Sequence, residues 1–553
     1  MSMSKNIARL AVTAGLTAAL SFGGVMAPVT MAFAAEANGS VTIENVNGNT
    51  TEFQGYQIFK ADVDSGKVAN ITWANDRVEK AVKDVIEKED TSYAGKTAQD
   101  AADWITNKVT GTNETTRVAP DNIAYKIADA VDGLSPSATT TSKTASGLAH
   151  GYWLFVTKTD TIGVGEAGTS PIFTVVGNTP VKITEKTGIP TVEKKIVSDA
   201  DSKEHDAADS QIGQDVTYNL YGTVAENFDK YDTYFYQFSD KISKGLTLQK
   251  DAKVYLYKNR TDATGTDITM YFKEETPAKA AEDGSKTTTW TCDNLKDVSG
   301  VTKDSYIVVS YKAQINKYAV VAGTEGNENT VTLNYSNNPM TSDRGETQSD
   351  TVKDYTYGLK INKVDLGTEA ALDGAEFTIQ ATGADDGASK NLYVQKDGSL
   401  GSDPWNFVTA NGGVIKVTGL DAGTYTVTEV SAPSGYAEAD PFTFEINPNM
   451  NADDPGAGLT ALKGVLTTDQ GGKVIAGITD ENAGDNNLTA KPGSEKDEDG
   501  IFNITVGDTK QVGLPLTGLN GVTFTWIAGG AVLCIGVAHL IRSRKQAEES
   551  EQE

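Results

Sequence analysis

The chain has 553 residues, with 48 basic against 75 acidic side chains and a formal charge of -27. That balance argues against nucleic-acid binding and for a soluble, self-repelling surface. His150, His205 and His539 have no metal-ligand spacing and no convincing nucleophile motif is present, so no metal, cofactor or external substrate is expected.

At the N-terminus, Lys5 and Arg9 precede an apolar stretch over residues 10–31, and the small residues around 32–35 offer a signal-peptidase site. The mature chain is expected to begin near Ala35 or Glu36. Residues 36–180 open with strand patterns at Val41 and Ile43 and at Phe53, Tyr56, Ile58 and Phe59, around an Asn47-Gly48-Asn49 turn. Three helices follow, carried by Val78, Val82, Val85 and Ile86, by Ala98, Ala101, Ala102 and Ile105, and by Ile123, Ile127 and Val131. Strands return at 151–156 and 172–176. The reading is a small β-sandwich with helical insertions, with Trp104 and Trp153 as core aromatics.

Residues 181–190, punctuated by Gly188 and Pro190, read as a linker. The next two regions, 191–350 and 351–508, are series of short alternating strands separated by polar turns, a sandwich pattern. Residues 451–500, rich in Asp, Gly, Asn and Lys, read as a long surface excursion.

Each of these two regions carries a lysine in the apolar phase of its first strand. Val192, Lys194 and Ile196 share one face by the two-residue period, as do Ile361 and Lys363. An inward lysine is costly unless it is paired or neutralised. Only Cys292 remains in the processed chain, because Cys534 lies in the apolar C-terminal run, so no intramolecular disulfide can strengthen an extracellular protein. Another crosslink is called for.

The C-terminus contains Leu514-Pro515-Leu516-Thr517-Gly518, then an apolar run over 522–541 of bilayer-spanning length, then Arg542, Arg544 and Lys545. The basic cluster keeps to the cytoplasmic side, which puts the main body outside. Pentapeptide, apolar run and basic tail in this order resemble the cell-wall sorting signal of Gram-positive surface proteins. That resemblance implies cleavage by a sortase between Thr517 and Gly518 and transfer of the threonyl carbonyl to an amine.

The two C-terminal regions also resemble Gram-positive pilin domains that crosslink themselves through Lys-Asn isopeptide bonds. Residues 425–436 are similar to the family's E-box, which implies Glu429 as the proton shuttle, Lys363 as the nucleophile and Asn503 as the acceptor. For the preceding region the resemblance nominates Lys194, Asp240 and Asn337, with Lys195 the alternative lysine and Asn334 and Asn338 the alternative acceptors. The implied fold is mainly β, as tandem immunoglobulin-like, Cna-type sandwiches. Residues 181–186 resemble the pilin motif, with Thr184 and Glu185 where Tyr and Pro are usual, which implies Lys186, or else Lys182, as the amine that joins subunits.

The expected function is therefore the major shaft subunit of a covalent fimbria. Its expected partners are pilus-specific and housekeeping sortases, identical subunits, a minor or tip pilin, peptidoglycan and a host or surface ligand. The alternative from the same features is a wall-anchored adhesin or a minor, tip or basal pilin. Neither is an enzyme beyond the single-turnover reaction on itself.

Overall fold

The computed structural model describes residues 38–44, 50–64, 67–109, 120–141, 143–184, 187–321, 326–384, 389–454, 458–468, 487–490 and 501–511. The signal stretch, Lys186 and the Leu514, Pro515, Leu516, Thr517 and Gly518 motif lie outside these residues. Among the described residues no helix is long and apolar enough to cross a membrane.

The protein is mainly β. Its N-terminal part has a five-stranded sheet in which Phe53–Asp64 lies between Lys67–Trp73 and Gly151–Thr157, with Ile172–Val176 at the edge. One face of this sheet is covered by the helices Asp76–Glu89, Ala98–Val109 and Ile123–Asp132, which contribute Val82, Ile86, Ala101 and Ile127 to a shared core with Tyr56 and Ile58. The other face packs on a three-stranded sheet through Val41, Ile43, Phe53, Trp153, Phe155 and Ile183. Both faces being covered explains why every residue of Gly151–Thr157 is buried. The first helix starts where the Asn75 side chain accepts from the Arg77 and Val78 amides, so its first free donors are capped locally.

Two details differ from expectation. Gly39–Glu44 pairs with Thr144–Leu148 and, in parallel, with Val181–Thr184, so it and Phe53–Asp64 belong to different sheets. Residues 181–184 are correspondingly a strand of the N-terminal part and not free linker, because Ile183 fills the core while its neighbours face out.

Residues 192–355 form two facing seven-stranded sheets. In one, Val192–Val197 pairs with Asp215–Thr223, which pairs with Tyr306–Ile315; in the other, Tyr236–Ile242 lies between Lys286–Cys292 and Asn327–Ser336. The strand Asp350–Tyr355 pairs with Asn327–Ser336, so the break expected between 350 and 351 falls inside a strand. Only Thr356 separates it from Tyr357–Asp365, the first strand of the last sandwich.

That last sandwich packs a four-stranded sheet on an eight-stranded one. At the centre of the smaller sheet, Tyr357–Asp365 and Ile501–Lys510 run parallel, with Lys363 opposite Val506 and Lys360 opposite Asn503. Part of the expected surface excursion is sheet: Leu459–Thr468 pairs with Phe442–Met450 and with Asn487–Ala490.

Candidate functional site: two buried lysine clusters

In the last sandwich, alternation along Tyr357–Asp365 turns Leu359, Ile361 and Lys363 into the core, where Lys363 is fully buried. Its backbone is held by the Gly413 carbonyl, at 2.7 Å from the lysine amide. Gly413 has φ 78° and a Cβ there would come within 2.4 Å of the Lys363 carbonyl oxygen, so no other residue fits this crossing. The ammonium lies 5.3 Å from the Phe377 ring centroid, donates to Glu429 Oε2 at 2.8 Å and makes a very short contact with Asp508 Oδ1. Glu429 Oε2 also accepts from the Ala439 amide at 2.7 Å, while Glu429 Oε1 and Asp508 Oδ2 are buried without a hydrogen-bond partner. Burial pushes the Glu429 carboxyl above the usual carboxylate range, against the pull of Lys363.

Asn503 does not meet this lysine. Phe502, Ile504, Val506 and Asp508 hold the inward phase of the last strand, so Asn503 lies on the opposite face, beside Lys360. The side chain that the last strand brings to Lys363 is an aspartate five residues further on, Asp508. A search restricted to asparagines overlooks it, although it keeps the phase of Ile504 and Val506.

In the middle sandwich Lys194 is fully buried and its ammonium makes a very short contact with Asp240 Oδ1. It also donates to the Tyr311 hydroxyl at 3.1 Å. That hydroxyl donates to Asp240 Oδ2 at 2.6 Å and accepts from Asn329 Nδ2 at 2.7 Å. Asn329 is fully buried and its Oδ1 has no partner. Tyr218 stacks on Tyr311 at 5.6 Å between centroids and Trp290 at 5.2 Å, an aromatic wall that excludes water. Desolvation lowers the Lys194 pKa to about 8 despite the nearby carboxylate, so a neutral amine is accessible near physiological pH.

Asn337, the acceptor expected here, lies past the end of Asn327–Ser336, roughly 26 Å along the strand from Asn329 at about 3.3 Å per residue. Its carbonyl accepts from the Gly168 amide at 2.6 Å, so it belongs to the joint with the N-terminal part. Asn334 pairs with Gln237, and Asn338 caps the Met340 amide and reaches Thr159. Lys195 faces outward to Asp206 and Glu193. Asn329 shares its two-residue phase with Val331, Leu333 and Tyr335; periodicity gives that face but not which point along it lies opposite Lys194.

Of the two lysines expected to join subunits, Lys182 is described. It sits on Val181–Thr184 with its side chain 72% exposed and pairs with Glu44 at 3.2 Å. Among the described residues no group of three or more His, Cys, Asp or Glu could hold a metal ion.

Fold and clusters together define a class: tandem β-sandwiches in which a buried lysine is held against carboxyl and amide side chains between strands distant in sequence. Residues 357–454 match the family described as SpaA, prealbumin-like fold domain. A search of curated proteins finds no match. Among solved structures, the chain is similar to the T6 backbone pilin of serotype M6 Streptococcus pyogenes, described as having a modular three-domain structure, with 16% identity, 86% of this chain and 99% of that one covered, and a TM-score of 0.49. The Corynebacterium diphtheriae major pilins SpaA (12% identity, 85% and 100% covered, TM-score 0.44) and SpaD (19% identity, 86% and 98% covered, TM-score 0.43) are further matches.

Proposed function

We propose that this protein is the shaft subunit of a covalent cell-surface fimbria, exported and held at the membrane by its apolar tail until a sortase joins Thr517 to an amine of the next subunit. Lys186 is the proposed amine, and the same threonine carries the last subunit to peptidoglycan. Lys182 is the less suitable nucleophile, being ion-paired on a strand.

The observation that carries the reading is the Lys363, Glu429 and Asp508 cluster between the first and last strands of the last sandwich. Its chemistry supports a self-catalysed condensation: Nζ attacks Asp508 Cγ, the Cγ–O bond breaks, and water leaves as Glu429 relays the proton. Holding the reactants in contact replaces a bimolecular encounter, and turning a buried ammonium and carboxylate into a neutral amide removes their desolvation cost. In the middle sandwich the corresponding reaction joins Lys194 to Asn329 with loss of ammonia, Asp240 being the acid and base.

A pull on a fibre joined at Lys186 and Thr517 would then run through both bonds. Intact-mass measurement is expected to find the mature chain about 35 Da below its uncrosslinked mass, the sum of one water and one ammonia. An uncrosslinked mass would refute the self-crosslinking half of the proposal. Cell-wall extracts should show a ladder of detergent-resistant polymers that disappears with Lys186→Ala; a single band in the wild type would favour the adhesin or minor-pilin alternative.

A further inference from the structure

The middle sandwich differs from the last in having a tyrosine at the centre of its lysine cluster. The Tyr311 hydroxyl touches all three reacting partners: Lys194 Nζ at 3.1 Å, Asp240 Oδ2 at 2.6 Å and Asn329 Nδ2 at 2.7 Å. A hydroxyl has one proton and two lone pairs, and here donation to Asp240 and acceptance from the two nitrogens use them all. In the last sandwich the contacts of Lys363 Nζ are the two carboxylates and the Phe377 ring face. The leaving groups differ as well. Either leaving group needs a proton, which Glu429 can relay to the departing oxygen in the last sandwich, while in the middle sandwich the departing nitrogen of Asn329 is bonded to the Tyr311 hydroxyl.

We propose that Tyr311 is a catalytic residue of the Lys194 condensation, its hydroxyl passing the proton of the attacking amine to the departing nitrogen of Asn329. The proposal rests on the self-crosslinking reading above. The Lys194 ammonium first gives a proton to Asp240 Oδ1, and the neutral amine attacks Asn329 Cγ. In the adduct Nζ carries an extra proton, which moves to the Tyr311 oxygen as the hydroxyl gives its own to Nδ2. The Cγ–Nδ2 bond then breaks, the Cγ–Nζ amide remains, and ammonia takes the proton from Asp240 and leaves as ammonium. Asp240 and Tyr311 end as they began, so atoms and charges balance.

Burial among Tyr218, Asp240 and Trp290 holds the Tyr311 hydroxyl protonated far above the usual phenol range, which suits a group that must hold a proton to give. Besides Asp240, the carboxyl that acts electrostatically on the Lys194 amine is Asp350, which accepts from the Lys194 backbone amide at 2.6 Å. The ring is held by stacking against Tyr218 and Trp290, so the hydroxyl does not have to be recruited.

The test follows the approach to full crosslinking by intact mass in the full chain purified directly after a brief induction. In Tyr311→Phe the loss of about 17 Da is expected to slow about tenfold or more. The loss of about 18 Da at Lys363 is expected at its normal rate in the same molecules. Completion of the ammonia loss at the wild-type rate would overturn the role of Tyr311. Because removal of the hydroxyl leaves Asp240 with one hydrogen bond fewer, 3-fluorotyrosine at position 311 supplies a second probe that keeps ring and hydroxyl while lowering the phenol pKa. It should change the rate of the ammonia loss while leaving the loss of about 18 Da at Lys363 at its normal rate, and an unchanged rate of ammonia loss would overturn the proposal. Absence of a branched Lys194–Asn329 peptide from the wild-type chain would instead overturn the crosslink reading at this site, and the proposal with it.

Discussion

Parity along a strand decides which side chain each lysine meets. In the last strand the inward positions are Phe502, Ile504, Val506 and Asp508, so the group against Lys363 is a carboxyl, and Asn503 shares the outer face with Lys360. This gives a residue-level prediction. Asp508→Asn should still crosslink, but with a loss of about 17 Da at that site where the native residue loses about 18, because the leaving group becomes ammonia. Asn503→Ala should leave the mass loss unchanged. Peptide mapping that finds Lys363 joined to residue 503 would contradict the assignment. In the middle sandwich Asn329→Ala should abolish the ammonia loss while Asn337→Ala preserves it.

At the scale of elements, the proposed bonds tie strands that are distant in sequence. Lys363 and Asp508 are 145 residues apart, and their strands already form a parallel ladder from Gly358 to Asp508. A covalent link closing a loop of that length removes unfolded-state entropy equivalent to about 5 kcal/mol. Glu429→Ala, which takes away the proposed proton shuttle, should therefore leave the last sandwich folded but unlinked. Calorimetry should then show its transition at a lower temperature, reduced by an amount on the order of that entropy. An unchanged transition together with an unchanged mass would show that Glu429 is dispensable. The Lys194 bond crosses between the two facing sheets of the middle sandwich, from Val192–Val197 to Asn327–Ser336, so it resists their separation and not only the sliding of paired strands.

Across the whole molecule, the joints between sandwiches are built from backbone contacts and buried polar groups. The loop after His205 inserts into the last sandwich: the Ile212 amide donates to the Gly419 carbonyl at 2.9 Å, Tyr357 donates to Asp209 at 3.0 Å, and the Asp421 amide donates to Gln211 at 3.1 Å. Beside this joint Asp354 is fully buried, accepts from Ser210 and Tyr218, and has one oxygen without a partner. Desolvation, reinforced by the nearby Asp209 and Asp199, holds its carboxyl protonated well above the usual range. The folded joint thus binds a proton that the open form releases, so this stabilisation is complete below the ordinary carboxylate range and is lost as pH rises toward the folded-state value. Hydrogen exchange at the Ile212 amide should accordingly show a joint that opens more readily as pH rises above about 4, after correction for the intrinsic rate. Asp354→Asn should flatten that dependence; an identical slope in the variant would rule out Asp354 as its source.

The sequence by itself determined the strand-rich architecture, the three N-terminal helices and the inward phase of Lys194 and Lys363, because alternation and helical period follow from local backbone geometry. Glu429 was legible too, through the resemblance of the contiguous residues 425–436 to the E-box, a motif that does not depend on register. Tertiary structure alone decided that Asp508 meets Lys363, that the Tyr311 hydroxyl bonds both Lys194 and Asn329, and that Asn337 belongs to a joint between sandwiches. The physical reason is register. Period two says which face a side chain takes, but where along that face it meets a partner more than a hundred residues away depends on how the strands slide, pair and pack, and that is decided by the whole core.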